Sequence, residues 1–456
     1  MNTPICDFVR SYVRQKALRL HMPGHKGAFA GFAPFSSLFP YDITEIPGAD
    51  SLYEAAGIIR ESEENAGKLF GAPTFYSTEG SSLAVRAMLY LLCLYARQLH
   101  PDRKPRIAAA RNVHKSFISA AALLDFDIQW LYPPENASYL SCLLNTEELA
   151  RIISETDEKP DALYITSPDY LGNRQDIAAL SDLCHQQSIL LLVDNAHGAY
   201  LKFLPVSEHP IDVGADLCCD SAHKTLPVLT GGAYLHISRN APDFLAEQAK
   251  AALALFGSTS PSYLILQSLD AVNPYLAAEY PKKLAAFLVQ VQELKKQLTA
   301  HGFSLVGNEP LKLTLSARPY GYTGTGLASL LAEKNIICEF ADADFLVLML
   351  TPETGENGLD ALEKALCAIP PQKPLLSEPP LFHPPKSRLS VREALFSRHE
   401  ICPLSLCAGK ILAAANVSCP PAVPIVVSGE QIDETLLPIL AYYGTEACEI
   451  VAETNE

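Results

Sequence analysis

The sequence predicts an α/β fold with a mainly parallel sheet in its large domain, joined by a smaller α/β domain and a small C-terminal module. Three observations predict it. The short apolar runs Ile107–Ala110, Ala162–Ile165, Ile189–Val193 and Ala233–Ile237 lack polar alternation, as strands buried on both faces do. Longer stretches, Leu83–Leu99 and Ile177–Gln187, read as helices set between them. A second alternation follows, with Lys312–Ser316, Ile336–Phe340 and Phe345–Leu350 as strands and Gly326–Lys334 and Gly358–Cys367 as helices.

In chain order, residues 1–35 read as a polar arm punctuated by glycine and proline, containing His21-Met22-Pro23-Gly24-His25-Lys26-Gly27. Residues 36–270 form the large domain. Residues 271–370 hold a bridging helix and the small α/β domain; the helical stretch from Tyr263 to Ala300 is interrupted near Pro274 and Pro281. Residues 371–385 are proline-rich and read as a linker, and residues 386–456 as the terminal module. A chain of 456 residues has room for this many parts.

Composition narrows the function classes. A formal charge of −16 argues against a nucleic-acid-binding protein, whose phosphate contacts need positive surface. The twelve cysteines form no C-x-x-C pair, so no metal site is expected, and Cys218-Cys219 read as reduced thiols in a buried strand. The N-terminus has no apolar signal core, and the apolar stretch Leu83–Ala96 is interrupted by Arg86 and too short for a bilayer. A cytoplasmic location without membrane contact is the expectation.

Four segments carry chemistry. Asp194-Asn195-Ala196-His197-Gly198 follows the strand Leu190–Val193, at the carboxyl end where α/β sheets place ligands. A carboxylate there can bond a protonated pyridine nitrogen, and Ala196 leaves room for a flat ring. Taken alone, this segment reads as a helix N-cap aspartate beside a satisfied histidine. Some thirty positions on, Asp220-Ser221-Ala222-His223-Lys224-Thr225 places an amine able to form an imine next to the phosphate-capable Ser221 and His223. By itself this is a solvated lysine in a polar turn; the two segments together point to pyridoxal 5'-phosphate (PLP). Gly80-Ser81-Ser82, placed just before a helix starting near Leu83, offers amides, hydroxyls and a dipole to an anion. His114, after the strand Ile107–Ala110, can stack on an aromatic cofactor or stand as an ordinary loop histidine.

Taken together, these segments resemble the Orn/Lys/Arg decarboxylase family, a PLP-dependent group of fold type I (aspartate aminotransferase-like). The likeness extends from Leu20–Gly27 through Asp42–Gly48, Ile59–Glu63, Phe70–Ala72, His114–Ser116, Thr166–Gly172, Asp194–Gly198, Ser221–Leu226 and Ser258–Tyr263 to Arg392–Ala394 and Pro420–Glu430. It implies that Lys224 carries PLP as a Schiff base, that Asp194 pairs with the pyridinium beside His197, and that His114 stacks on the ring. Gly80, Ser81, Ser82, Ser221 and His223 would serve the phosphate. Ser258 and Thr259 would reach a neighbouring subunit's phosphate, which implies a homodimer or larger homo-oligomer. The implied reaction is decarboxylation of a basic amino acid (arginine, lysine or ornithine) to a primary amine, with Lys224 or His223 returning a proton. Glu430 is a candidate for the substrate's distal charge, against the plainer reading of a solvated surface glutamate. The family pattern is altered at Glu79 (usually Asn), Asn195, Ala222 and Gly231-Gly232. Other PLP chemistry, aminotransfer or a different lyase reaction, and a non-catalytic PLP-binding protein stay open as alternatives.

Overall fold

The computed structural model describes residues 1–134, 137–156, 158–414 and 420–452. They form two compact units, Met1–Tyr95 with Leu190–Ala285 and Ala96–Ile189 with Ala286–Glu456.

In the first unit, α1 (Pro4–Gln15) and α2 (Ile58–Phe70) precede β1 (Thr74–Ser77) and α3 (Gly80–Leu99). The arm expected over residues 1–35 therefore begins as a helix. Ile5 and Val9 lie one turn apart and are fully buried, with α2 and the helix Tyr263–Ala278 as the neighbours of α1. Thr3 supplies no side-chain cap; instead the Asp270 carboxylate accepts the Cys6 N–H at 2.9 Å, a negative charge on the positive end of the helix.

The second unit opens with β2 (Arg106–Ala110), α4 (Lys115–Leu124), β3 (Asp127–Leu131), α5 (Thr146–Glu155), β4 (Ala162–Thr166) and α6 (Ile177–Gln186). The strands run parallel in the order β4-β2-β3. Ala108 and Ala109 at the centre of β2 are buried, as its unbroken apolar pattern requires.

The chain then supplies the first unit with β5 (Leu190–Asp194), β6 (Leu217–Asp220), α7 (Ala222–Thr225) and β7 (Ala233–Ile237). β5 and β6 are parallel, with Asp194 beside Cys219. β7 is antiparallel to both β6 and β1, so the first unit's strand order β1-β7-β6-β5 departs from a purely parallel arrangement. Short helices α8 (Asp243–Glu247) and α9 (Ala249–Phe256) lead to α10 (Tyr263–Ala278). The helix continues through Pro274, and the break falls at Glu279, close to Pro281 as expected, ahead of α11 (Tyr280–His301).

The rest of the second unit contains two antiparallel sheets. One orders β10 (Phe340–Ala341), β11 (Phe345–Met349), β9 (Lys312–Ser316) and β8 (Ser304–Val306), with α12 (Gly324–Ala332) and α13 (Gly355–Cys367). The strand expected over Ile336–Phe340 is therefore confined to its last residue and Ala341. Residues 370–386 contain no helix or strand. The second sheet orders β12 (His399–Pro403), β14 (Ala447–Val451) and β13 (Leu412–Ala414), with α14 (Val391–Leu395) and α15 (Leu436–Tyr442). Cys407, Ile432 and Leu436, all fully buried, centre the core of this module. No described helix is long and apolar enough to cross a membrane.

Candidate active site

The carboxyl end of β5 places Asp194 in the interior, only 3% exposed. Its Oδ1 accepts the Ala196 N–H at 3.2 Å and the Cys219 thiol at 3.6 Å. Burial, followed by the Asp194 charge, pushes the Cys219 thiol well above the usual range, so it stays a protonated donor. Three residues past Asp194, the His197 ring accepts at Nε2 from the Lys224 amine, 3.0 Å away. Lys224 belongs to the single turn α7, which follows β6 through Ser221.

The start of α3 meets the same region. Ser221 Oγ donates to Ser81 Oγ at 2.8 Å. The helix begins at Gly80, so Gly80-Ser81-Ser82 form its first turn instead of the loop ahead of it. First-turn amides have no partner within their own helix, which is what an anion site needs. A Cβ built on Gly80 would have a single neighbour within 4 Å, His223 Cε1 at 4.0 Å, so the space before this turn is open. His223 Nδ1 donates to the Gly232 carbonyl at 3.0 Å; a carbonyl only accepts, so Nδ1 carries a proton.

Two of the altered family positions, Gly231 and Glu79, have local accounts. Gly231 sits at φ 98°, and a Cβ there would stand 2.8 Å from the Thr78 carbonyl oxygen. Its own carbonyl accepts the Gly80 N–H at 2.8 Å. Glycine at 231 thus permits the close approach that sets the start of α3. The Glu79 carboxylate is turned to the Ser258 N–H, which donates to Oε1 at 2.6 Å. Ser258 and Thr259 are both exposed. His114 belongs to the second unit, where it caps α4; its Nδ1 accepts the Ser116 N–H at 3.1 Å.

Glu430 is not a solvated surface residue. It is fully buried, and its Oε2 accepts from Arg111 at 3.0 Å and from the Val427 N–H at 2.7 Å.

One group of residues escaped sequence reasoning. Asp220 Oδ2 accepts from His209 Nε2 at 3.0 Å and His236 Nε2 at 3.1 Å, all three fully buried. Asn195 Nδ2 donates to the other oxygen at 2.7 Å, joining this network to the segment that carries Asp194 and His197. Burial alone would raise the Asp220 carboxyl, but the two imidazoles hold it well below the usual range. Burial pushes the His236 imidazole down. His209, Cys218 and Asp220 also place potential metal ligands within 4.8 Å of one another, and the hydrogen bonds already account for that cluster.

The residues of the first unit fit a flat cofactor with an aldehyde, a ring nitrogen and a phosphate. An amine, a buried carboxylate and an open helix start rimmed by two hydroxyls stand on adjoining segments.

Comparison with known proteins agrees. The family model "Orn/Lys/Arg decarboxylase, major domain" matches residues 3–309. The uncharacterized protein YaaO of Bacillus subtilis is 30% identical over 95% of this chain and 92% of its own length. The arginine decarboxylase of Bacillus subtilis is 29% identical over 95% of this chain and 91% of that protein. Among solved structures, E. coli constitutive lysine decarboxylase aligns with a TM-score of 0.76 at 17% identity, covering 100% of this chain and 81% of that one. The fold is that of the lysine decarboxylases and other fold type I enzymes.

Proposed function

The chain belongs to the Orn/Lys/Arg decarboxylase family, whose members are amino acid decarboxylases, and on that premise we propose that it is a PLP-dependent decarboxylase of a basic amino acid. The observation that carries this reading is the 3.0 Å contact of Lys224 with His197, three residues past the buried Asp194. Arginine is the first substrate to test, because relatives similar over nearly their whole length are named arginine decarboxylases. The reading also implies a homodimer or larger homo-oligomer.

Lys224 would hold the cofactor, Asp194 would face its ring nitrogen, and Ser81, Ser221 and the first turn of α3 would take its phosphate. When bound, PLP supplies an electron sink for the pair released as carbon dioxide departs. Asp194, buried at the end of β5, would stand by the ring nitrogen and stabilise positive charge there. His197, 3.0 Å from the Lys224 amine, would hold that amine in place. Lys224 or His223 would return the proton that completes the primary amine.

The test is incubation of PLP-loaded protein with arginine, lysine and ornithine, following carbon dioxide and the matching amine. Lys224→Ala should remove both the visible absorption of bound PLP and the product. Product formation by that variant would exclude Lys224 from the chemistry, and a keto acid without carbon dioxide would favour aminotransfer.

A further inference from the structure

Asp220 stands where two segments of the first unit meet. It lies four residues before Lys224, and its Oδ1 accepts from Asn195 Nδ2 at 2.7 Å. Asn195 directly follows Asp194 and lies two residues before His197. The backbone repeats the tie, since the Asn195 N–H donates to the Cys219 carbonyl at 2.9 Å. The Asn195 carbonyl accepts the Gly198 N–H at 2.8 Å, which closes the turn that carries His197. A Cβ at 198 would stand 1.9 Å from Asn195 Oδ1, so glycine there leaves this side chain its place.

Asp220 is held from its other side with little freedom. Its Oδ2 accepts from both His209 and His236. The Ile211 N–H donates to His209 Nδ1 at 3.4 Å, so Nε2 is the donor of that ring. His236 Nδ1 is hydrogen-bonded to the Thr74 hydroxyl at 2.9 Å. The Phe70 ring packs on both imidazoles, 4.4 Å from His236 and 5.4 Å from His209 between centres.

This arrangement is costly for a merely stabilising one. Asn195, His209, Asp220 and His236 are all fully buried, and Asn195 Oδ1 has no hydrogen-bond partner among the described residues. Apolar residues of similar volume often match or exceed the stability of buried charged groups. A polar network supplies direction instead: three N–H donors on two oxygens hold the Asp220 side chain in one orientation, and Asn195 takes its own from it. A flat ring has a fixed length, so groups that bracket it must be held at a fixed separation.

We propose that Asp220 and Asn195 are positioning residues that set the separation of Asp194 from Lys224, with His209 and His236 anchoring Asp220. The proposal rests on the reading of Asp194 and Lys224 as the two ends of the cofactor site.

The test uses the PLP-loaded full chain with Asn195→Ala, Asp220→Ala and Asp220→Asn. Asn195→Ala breaks the tie and leaves Asp220 with both histidines, so it answers the question should Asp220→Ala fold poorly. Asp220→Asn keeps the shape and an oxygen for the imidazoles, and its amide can donate to Asn195 Oδ1 once that side chain turns over. In both alanine variants kcat should fall about tenfold or more with KM for the amino acid nearly unchanged. The visible circular dichroism of bound PLP should change with it. Asp220→Asn should keep kcat within about threefold of the wild type. Asn195→Ala combined with Asp220→Ala should lose no more than Asp220→Ala alone. Without PLP, hydrogen exchange at residues 196–198 should quicken in Asn195→Ala. Equal losses in Asp220→Asn and Asp220→Ala would assign the effect to charge and overturn the proposal. A lower melting temperature with kcat and circular dichroism unchanged would also overturn it, because a purely structural role gives that result. Unchanged exchange at residues 196–198 would overturn it even where PLP fails to bind, an outcome that separately removes the reading of the site.

Discussion

The sequence marks Lys224 and Asp194 as candidates because their neighbourhoods are dense in chemistry over a few residues. Asp194 takes its acceptor role from the end of one strand, and Asp194→Asn would keep an acceptor for the Ala196 N–H while removing the charge. Carbon dioxide release by that variant should fall about 100-fold or more, with the cofactor still retained through Lys224, which absorbance would show. Glu79 looked hostile to a phosphate from sequence, but its partner Ser258 is 179 positions away and left no local signal. Asn can also accept that N–H, so Glu79→Asn should change stability by no more than about 1 kcal/mol in thermal melts. The His209–Asp220–His236 network was illegible for a similar reason. An isolated histidine gives no hint of a partner: the register of β6 with β7, which sets Cys218 beside His236, brings His236 to Asp220, and His209 reaches the same carboxylate from the loop before β6.

At the scale of elements, apolar runs located the strands but not their direction. β7 is as buried as β5 and reads the same way, yet it runs antiparallel to β6. Pro274 was read as an interruption, and α10 runs through it. Helix α1 was missed because its buried face is short and its N-terminal carboxylate comes from Asp270, far along the chain. The start of α3 offers a direct test. Gly231→Ala would place a methyl group 2.8 Å from the Thr78 carbonyl at a φ that L residues resist. The expected outcome is a loss of roughly 1–3 kcal/mol in denaturant unfolding together with weaker PLP binding, since the Gly80 amide is tied to Gly231.

For the molecule as a whole, stability should depend on pH through Asp342 in the turn between β10 and β11. Burial, with the Asp344 charge adding to it, pushes this carboxyl up to about 6 from 3.8, against the Phe345 and Asp344 N–H groups that donate to it. The folded chain therefore binds the extra proton, its stability falls as pH rises through that window, and the full penalty applies above it. Asp342→Asn should gain on the wild type between pH 4 and pH 7 by up to about 3 kcal/mol, read from unfolding at the two values. The stretch at 370–386 has a different consequence. It has no helix or strand and Leu376 is 81% exposed, whereas Arg392 and Glu430 beyond it fasten to α4 and Arg111. Cutting the backbone there would sever one covalent tie and none of those bonds. Two co-expressed fragments, joined nowhere by a peptide bond, should assemble and copurify as one particle.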